Sequence, residues 1–342
     1  MSELEIRPVD PFDDATFEAW HDVYVRAERH GREELASPWA LEELGVQLQQ
    51  PTRSRRKVLL LGTVGGTAVV VGSVQLRLLD NLSHAEVEVH TAPEHRRRGH
   101  GSAMLARVED VAREHGRTTL AAETAWPYEV GPTGAGTPGV EFGRAHGYEL
   151  GLGDVMRALA LPVEPELLDT LAVEAAAHHA AAYTLRSWVG PVPDDLVRSW
   201  AELSTTLMIE APTGEMEREP EAVDLVALRE GEEVSRRQGR TKYNTVALDA
   251  DGTVVAYTDI VTTVHEPTLA YQWGTLVRRA DRGHRLGLAV KVANLRLLQR
   301  ETSGLERVVT WNAEVNDHMI GVNERLGFVP VERLGELQKR WA

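Results

Sequence analysis

From Val58 to Leu76 no position is charged, and Val, Leu and Thr fill the run on either side of Gly65-Gly66. A stretch of that length can formally cross a bilayer. Gly62, Gly65, Gly66 and Gly72 argue instead for a buried β-hairpin, because glycine supplies the positive φ that a tight turn requires. Strands are expected over 57–64, 67–79 and 84–91, the last from alternating polar and apolar positions. The same succession returns over 243–249, 253–264 and 269–277, around a turn at Asp251-Gly252. Behind each triplet comes a glycine-containing loop, then apolar residues at helical spacing, Ser102 to Glu114 and Leu288 to Arg300.

These echoes are one repeat. Arg7 and Arg186, Trp20 and Trp200, Gly66 and Gly252, Arg96 and Arg282, and Gly147 and Gly327 occur in the same order at offsets of 179 to 186 residues. The chain therefore reads as two copies of one domain, 1–162 and 183–342, joined by a helical connector over 163–182. Antiparallel hairpins mixed with helices point to an α+β fold, each copy a mixed, mostly antiparallel sheet flanked by helices. His178-His179 in the alanine-rich connector has no partner ligands nearby in sequence and reads as a solvated helix face.

A length of 342 residues fits two domains. With 37 Lys and Arg against 52 Asp and Glu, the net charge of −15 argues against a general nucleic-acid binder. The absence of cysteine excludes disulfides, thiol catalysis and cysteine-ligated metals, and suits a reducing compartment. MSELEIRPVD lacks the apolar core of a secretory signal, so a cytoplasmic location is expected, with no membrane partner.

The chemistry concentrates in the loops. The strand Val87–Thr91 runs into Arg96, Arg97, Arg98, Gly99, His100 and Gly101, and a helix opens at Ser102. Glycine lets backbone approach a ligand, and a helix start offers unpaired N–H groups that suit a phosphate. A solvated arginine run is the alternative. Arg282, Gly283, His284, Arg285, Leu286, Gly287 and Leu288 repeat the arrangement. Neither loop has the P-loop lysine or the G-x-G-x-x-G of dinucleotide binders. Glu86 and Glu88 share one strand face and can supply a general base, or can be the polar face of a half-buried strand. The corresponding Gln272 and Gly274 offer no base. His90, His95 and His100 do not converge on a metal, and no metal site is expected.

Strand, R-x-x-G-x-G/A, then helix resembles the acyl-CoA pyrophosphate motif of the GNAT superfamily of N-acetyltransferases. Arg96, Gly99 and Gly101 match in full, whereas the second loop keeps Arg282 and Gly287 but puts Arg285 at the first glycine. Thr310 to Phe328 resembles the family's later strand–helix motif beside the pantetheine arm. The resemblance covers essentially the whole chain, and its tandem form is similar to mycothiol synthase and to actinobacterial acetyltransferases. It implies acetyl-CoA as cofactor, with Val89 to Thr91 and Thr275 to Val277, including Leu276, along the pantetheine and thioester. Asn312 and Asn316 are placed to hydrogen-bond the arm. Asn323 stands where the family often has a proton-donating tyrosine; it can donate a hydrogen bond but not usefully a proton. Mycothiol synthase carries its chemistry in the C-terminal domain, which points to the second copy. The expectation is acetyl transfer from acetyl-CoA to an amine of a small molecule, by a monomer or homodimer. The alternatives are a non-catalytic acyl-CoA-binding module and a protein N-acetyltransferase.

Overall fold

A computed structural model describes residues 3–341. In chain order the elements are β1 (Leu4–Pro8), α1 (Asp14–Arg29), α2 (Leu41–Gln49), β2 (Arg55–Val64), β3 (Thr67–Arg77), β4 (His84–Thr91), α3 (His100–Glu114), β5 (Thr119–Pro127), α4 (Pro138–Ala145) and β6 (Glu149–Ala160). There follow α5 (Pro165–His179), β7 (Thr184–Val189), α6 (Val197–Ser204), α7 (Leu207–Glu210), α8 (Leu225–Arg237) and β8 (Arg240–Leu248). The chain closes with β9 (Val254–Thr263), β10 (Leu269–Val277), α9 (Leu286–Glu301), β11 (Arg307–Ala313), α10 (Asp317–Leu326) and β12 (Val329–Arg340). The expected α+β repeat is present. Among the described residues no helix is long and apolar enough to cross a membrane.

Two compact units emerge, and neither is contiguous in sequence. The first comprises Met1–Trp126, Thr133–Leu152 and Leu334–Ala342; the second comprises Pro127–Pro132 and Gly153–Arg333. Strand order is β1-β2-β3-β4-β5 followed by β12 from Leu334 onward in the first unit, and β6 from Gly153 onward followed by β11-β10-β9-β8-β7 in the second. β4–β5 and β10–β11 are parallel, whereas the β1–β2, β2–β3 and β3–β4 ladders and their counterparts β7–β8, β8–β9 and β9–β10 are antiparallel.

The uncharged run is the β2–β3 hairpin, with Gly65 and Gly66 at φ 56° and 83°. It carries no charge because both of its faces are covered. Leu60, Val70, Val74 and Leu76 meet Met104, Leu105 and Val108 of α3. Leu59, Leu61 and Val71 meet Phe17, Trp20 and Val23 of α1. In the second unit Tyr243, Ile260 and Ala270 pack under α9, and Val246, Val254 and Tyr257 under α6. Gly72 is glycine for want of room: a Cβ there would lie 2.7 Å from Val108 Cγ1 and 2.8 Å from Met104 Sδ. Gly72→Ala should destabilise the protein by about 1–3 kcal/mol through overpacking, read as an earlier denaturation midpoint with an unchanged slope.

Candidate cofactor and acceptor site

Each unit opens its sheet at one place. The β4–β5 ladder runs His84↔Thr119, Ala85↔Leu120, Glu86↔Ala121 and then stops, although both strands continue. The β10–β11 ladder stops likewise after Tyr271↔Val309. Val89 to Thr91, and Leu276 with Val277, therefore lie beyond the last pairing, on strands whose other edge stays bonded to β3 or β9. A parted strand leaves polar backbone facing the gap, ready for a ligand with amides of its own. β10 is also bulged between Gln272 and Thr275. The bulge is fixed by Gln272 Nε2, which donates to Thr258 Oγ1 at 2.9 Å and to the Asp259 carbonyl at 2.7 Å.

Both strands lead into loops with one backbone path. The second and fourth loop residues are left-handed in each: Arg97 (φ 61°) and Gly99 (86°), then Gly283 (90°) and Arg285 (53°). Each loop thus has glycine at one left-handed position and arginine at the other, a local strain on the arginine that persists only where its surroundings fix it. Gly99 and Arg285 are the residues before α3 and α9. The backbone N–H groups of 97–102 and 283–288 meet no acceptor among the described residues. Six free donors at the start of a long helix suit a diphosphate. Leu286 and Leu288 turn their side chains into the core and can offer only backbone, while a Cβ at the buried Gly287 would meet Val277 Cγ2 at 3.7 Å.

The arginines distinguish the loops. Arg96 donates to the carbonyls of Thr91 (3.2 Å) and Ala27 (3.3 Å), and Arg98 to that of Glu94 (3.0 Å). Arg97 has no side-chain partner among the described residues. No carboxylate neutralises these three. In the second loop Arg282 pairs with Glu210 at 2.8 Å, Arg279 with the same carboxylate at 3.3 Å, and Arg285 with Glu174. Burial, His95 and Arg98 push His100 below the usual imidazole range, and Ser102 Oγ lies 3.0 Å from His146 Nε2. His284 stacks obliquely on Tyr183.

On the α1 side of β4 the carboxylates gather company. Ser73 Oγ donates to Glu88 Oε2 at 2.6 Å and Lys57 Nζ lies 3.2 Å away. Burial works to raise Glu88, but Lys57, His90 and the Ser73 hydrogen bond overcome it and hold the carboxyl at about 2. Its side chain is nonetheless 43% exposed, so it reaches solvent rather than lying in the core. His90 Nδ1 is 3.3 Å from Glu28 Oε1, and the ring meets Tyr24 edge-on. Burial, then Glu88, pushes the Tyr24 phenol up. Glu86 is outside this group, accepting from Gln75 Nε2 at 2.5 Å.

The second unit builds the same pair from different strands. Lys242 of β8 lies 2.5 Å from Asp259 of β9, and Asp259 Oδ1 accepts the Gly274 N–H at 2.8 Å. The carboxylate has moved from the strand beside the gap to that strand's neighbour, where the first copy has Ser73. Here it is 3% exposed, and Lys242 covers it from beneath the Trp200 ring. Comparison of Glu86 and Glu88 with Gln272 and Gly274 alone misses Asp259. The signal was present in the repeat offset, which sets Asp259 against Ser73. Tyr24 and Glu28, one helical turn apart, were missed because α1 carries several charged residues and only packing shows which face the cleft.

In the second unit β11 leads directly into α10. Asn316 caps α10, its side chain accepting from the Met319 N–H at 3.2 Å. Asn323 is fully buried and donates to Asn312 Oδ1 at 2.5 Å, while its own Oδ1 has no partner. The site residues fall into two sets, one per unit. No cluster of three metal-ligating groups occurs among the described residues.

The profile of the Acetyltransferase (GNAT) family matches residues 13–127. Curated proteins provide no match. Among solved structures, a tandem GNAT protein from the clavulanic acid biosynthesis pathway is 30% identical with a TM-score of 0.80, over 99% of this chain and 98% of that one. A GCN5-related N-acetyltransferase from Sphaerobacter thermophilus is 17% identical, TM-score 0.64, over 98% of this chain and 95% of that one. The glucosamine N-acetyltransferase region of a fungal multi-domain GH3 β-N-acetylglucosaminidase is 14% identical, TM-score 0.65, over 98% of this chain and 38% of that one. The last two share the fold. With parted strands, phosphate-type loops and a full-length relative at that identity, the chain belongs to the GNAT family in its tandem two-domain form.

Proposed function

We propose that the protein is an acetyl-CoA-dependent N-acetyltransferase acting on an amine of a small molecule. The observation that carries this reading is the first unit's parted β4–β5 pair running directly into a loop of six free N–H groups and three arginines without carboxylate partners. The N–H groups of 97–102, with Arg96 to Arg98, would hold the pyrophosphate, and Val89 to Thr91 the pantetheine arm. Bound there, the cofactor supplies an activated acetyl thioester. The second loop would hold a second molecule less tightly, because Glu210 and Glu174 compete for its arginines. Those contacts are partly exposed and worth about 0.2–1 kcal/mol each. Glu210→Gln should therefore tighten second-site binding by roughly 2–5-fold, visible by calorimetry.

Glu88 and Glu28 put two carboxylates on the α1 side of β4 and would receive an acceptor as its ammonium. A carboxylate held at about 2 stays ionised but is a weak base. His90, oriented by Glu28, is the neighbouring group whose chemical type suits removal of the amine proton. Turnover is tested by following thiol release from acetyl-CoA with a panel of small amines. Glu88→Gln should raise KM for a cationic amine at least about 10-fold while leaving acetyl-CoA binding within about 2-fold. The chemistry expected of the C-terminal copy from the likeness to mycothiol synthase is covered by the same assay in Asp259→Asn. A second reading, an acyl-CoA-binding module without turnover, draws support from the tie of Glu88 to Lys57 and Ser73. It predicts binding with no thiol release for any amine.

A further inference from the structure

Helix α1 of the first unit runs unbroken for 16 residues, whereas its counterpart in the second unit stops at Ser204 and resumes as α7 at Leu207. The break is written in Ser204, Thr205 and Thr206. Their hydroxyls donate to the carbonyls of Ala201 and Leu203, a back-bonding that bends a helix. Between the interrupted helix and the end of β10 lies a cavity of about 270 Å³. Leu203, Val254 and Leu276 form its apolar part, none more than 7% exposed. The Lys242–Asp259 pair and Gly274 do not line it, so it is separate from the carboxylate beside the β10 bulge.

The polar groups of this cavity are mostly of one kind. Ser199 Oγ donates to the Leu196 carbonyl at 3.2 Å, and Thr206 Oγ1 to that of Leu203 at 2.7 Å. With their protons committed, both hydroxyls offer a ligand lone pairs only; Ser199, which also accepts the Val254 N–H, keeps one. The Glu202 carboxylate has no partner among the described residues. The cations are taken: Arg278 by Asp281 at 2.5 Å and Asp249 at 3.2 Å, Arg279 by Glu210 at 3.3 Å. An occupant must therefore bring N–H donors and positive charge, with hydrocarbon for the leucines and valine. A cavity of about 150 Å³ accepts benzene, so this one accommodates about ten non-hydrogen atoms.

Glu210 joins the cavity to the second loop, since it lines the one and holds Arg282 of the other at 2.8 Å. The first unit has the charges reversed, with Arg26 of α1 on Glu94 at 2.5 Å, and its Arg96 meets carbonyls instead of a carboxylate. A helix carboxylate that holds a loop arginine is thus a feature of the second unit.

We propose that this cavity is an effector site for a small organic ammonium with an apolar body, and that its occupant draws Glu210 away from Arg282 and so frees that arginine for an anion at the second loop. The ammonium is shared between Glu202 and Glu210, and the hydroxyls of Ser199 and Thr206 accept its remaining N–H groups. Releasing one partly exposed ion pair corresponds to about a 2–5-fold gain in anion affinity. By linkage, an anion on the loop tightens the ammonium by the same factor. The site stands on the cavity itself; its coupling to the loop rests on the cofactor reading of the second unit.

The test is calorimetry on the full chain carrying Arg97→Ala, Arg98→Ala and Glu88→Gln, which weakens the first loop and the first unit's amine side; thermal melts certify folding. CoA is titrated with and without saturating phenethylammonium, and with 3-phenylpropan-1-ol as the uncharged control. CoA carries no acetyl group, so the amine is not consumed. The amine should tighten CoA about 2–5-fold and the alcohol should not. Glu202→Gln should weaken the amine about 5-fold or more, with CoA affinity in its absence held within about 2-fold. Glu210→Gln should bind CoA as tightly without the amine as its parent does with it, and gain nothing on addition. An amine that does not bind, or binding that Glu202→Gln leaves unchanged, overturns the proposal. So does amine binding without effect on CoA, or an effect that persists in Glu210→Gln. A second loop that binds no CoA in any variant overturns the coupling and that unit's cofactor reading together, while amine binding weakened by Glu202→Gln still supports the cavity site.

Discussion

Lys291→Met is expected to be more stable than the wild-type protein at pH 6, with the advantage shrinking steadily as pH rises towards 10. The folded-state amine sits at about 7 against 10.5 for an unperturbed lysine. Each unit of displacement corresponds to about 1.4 kcal/mol. The sign follows from proton counting. Below pH 7 both folded and unfolded chains carry the proton, and the folded one bears the full burial penalty, about 5 kcal/mol as an upper figure. Between 7 and 10.5 the unfolded chain binds more protons than the folded one, so wild-type stability climbs with pH. Above that range neither chain is charged at this position and the penalty is gone. Urea unfolding of both proteins at pH 6, 8 and 10 measures the effect. A difference that stays constant with pH would mean that the amine is charged in the folded protein throughout.

The second large effect concerns the first loop. Arg97→Ala/Arg98→Ala should weaken acetyl-CoA binding at the first unit by about 10²-fold or more. Each lost charge-assisted hydrogen bond to phosphate is worth about 1.5–3 kcal/mol. Neither arginine supports the fold through an ion pair: Arg97 has no side-chain partner among the described residues, and Arg98 makes one hydrogen bond, to the Glu94 carbonyl. The melting temperature should therefore hardly move. Arg285→Ala in the second loop removes an arginine already paired with Glu174 and should cost much less. Competitive titration at two salt concentrations separates a lost electrostatic contact, which flattens the salt dependence, from a disordered loop.

Much of this arrangement was legible in the chain because it rests on short-range rules. The Gly65-Gly66 turn, the alternation before each loop and the arginine–glycine spacing specify hairpin, strand and helix start with local chemistry alone. The repeat offsets carried the tandem architecture. What escaped depends on which strands lie side by side. Lys57, Ser73 and Glu88 come from three neighbouring strands and meet only through register. Asp259 was hidden because the second copy carries its carboxylate one strand further from the gap. Glu210 and Glu174 approach the second loop from α7 and α5, 69 or more residues upstream of the arginines they hold. Lys291 reads in sequence as an ordinary polar position in an apolar helix; only its burial makes it unusual. The return of residues 334–342 to the first unit has no local signal at all.

The first loop is proposed as the principal cofactor site. It is tested most directly by counting acetyl-CoA per chain by calorimetry, in the wild-type protein and in Arg97→Ala/Arg98→Ala. One tight site that the double variant removes is expected, with a weaker site persisting in the second unit. A tight site that survives the double variant and disappears in Arg282→Ala/Arg285→Ala would contradict it.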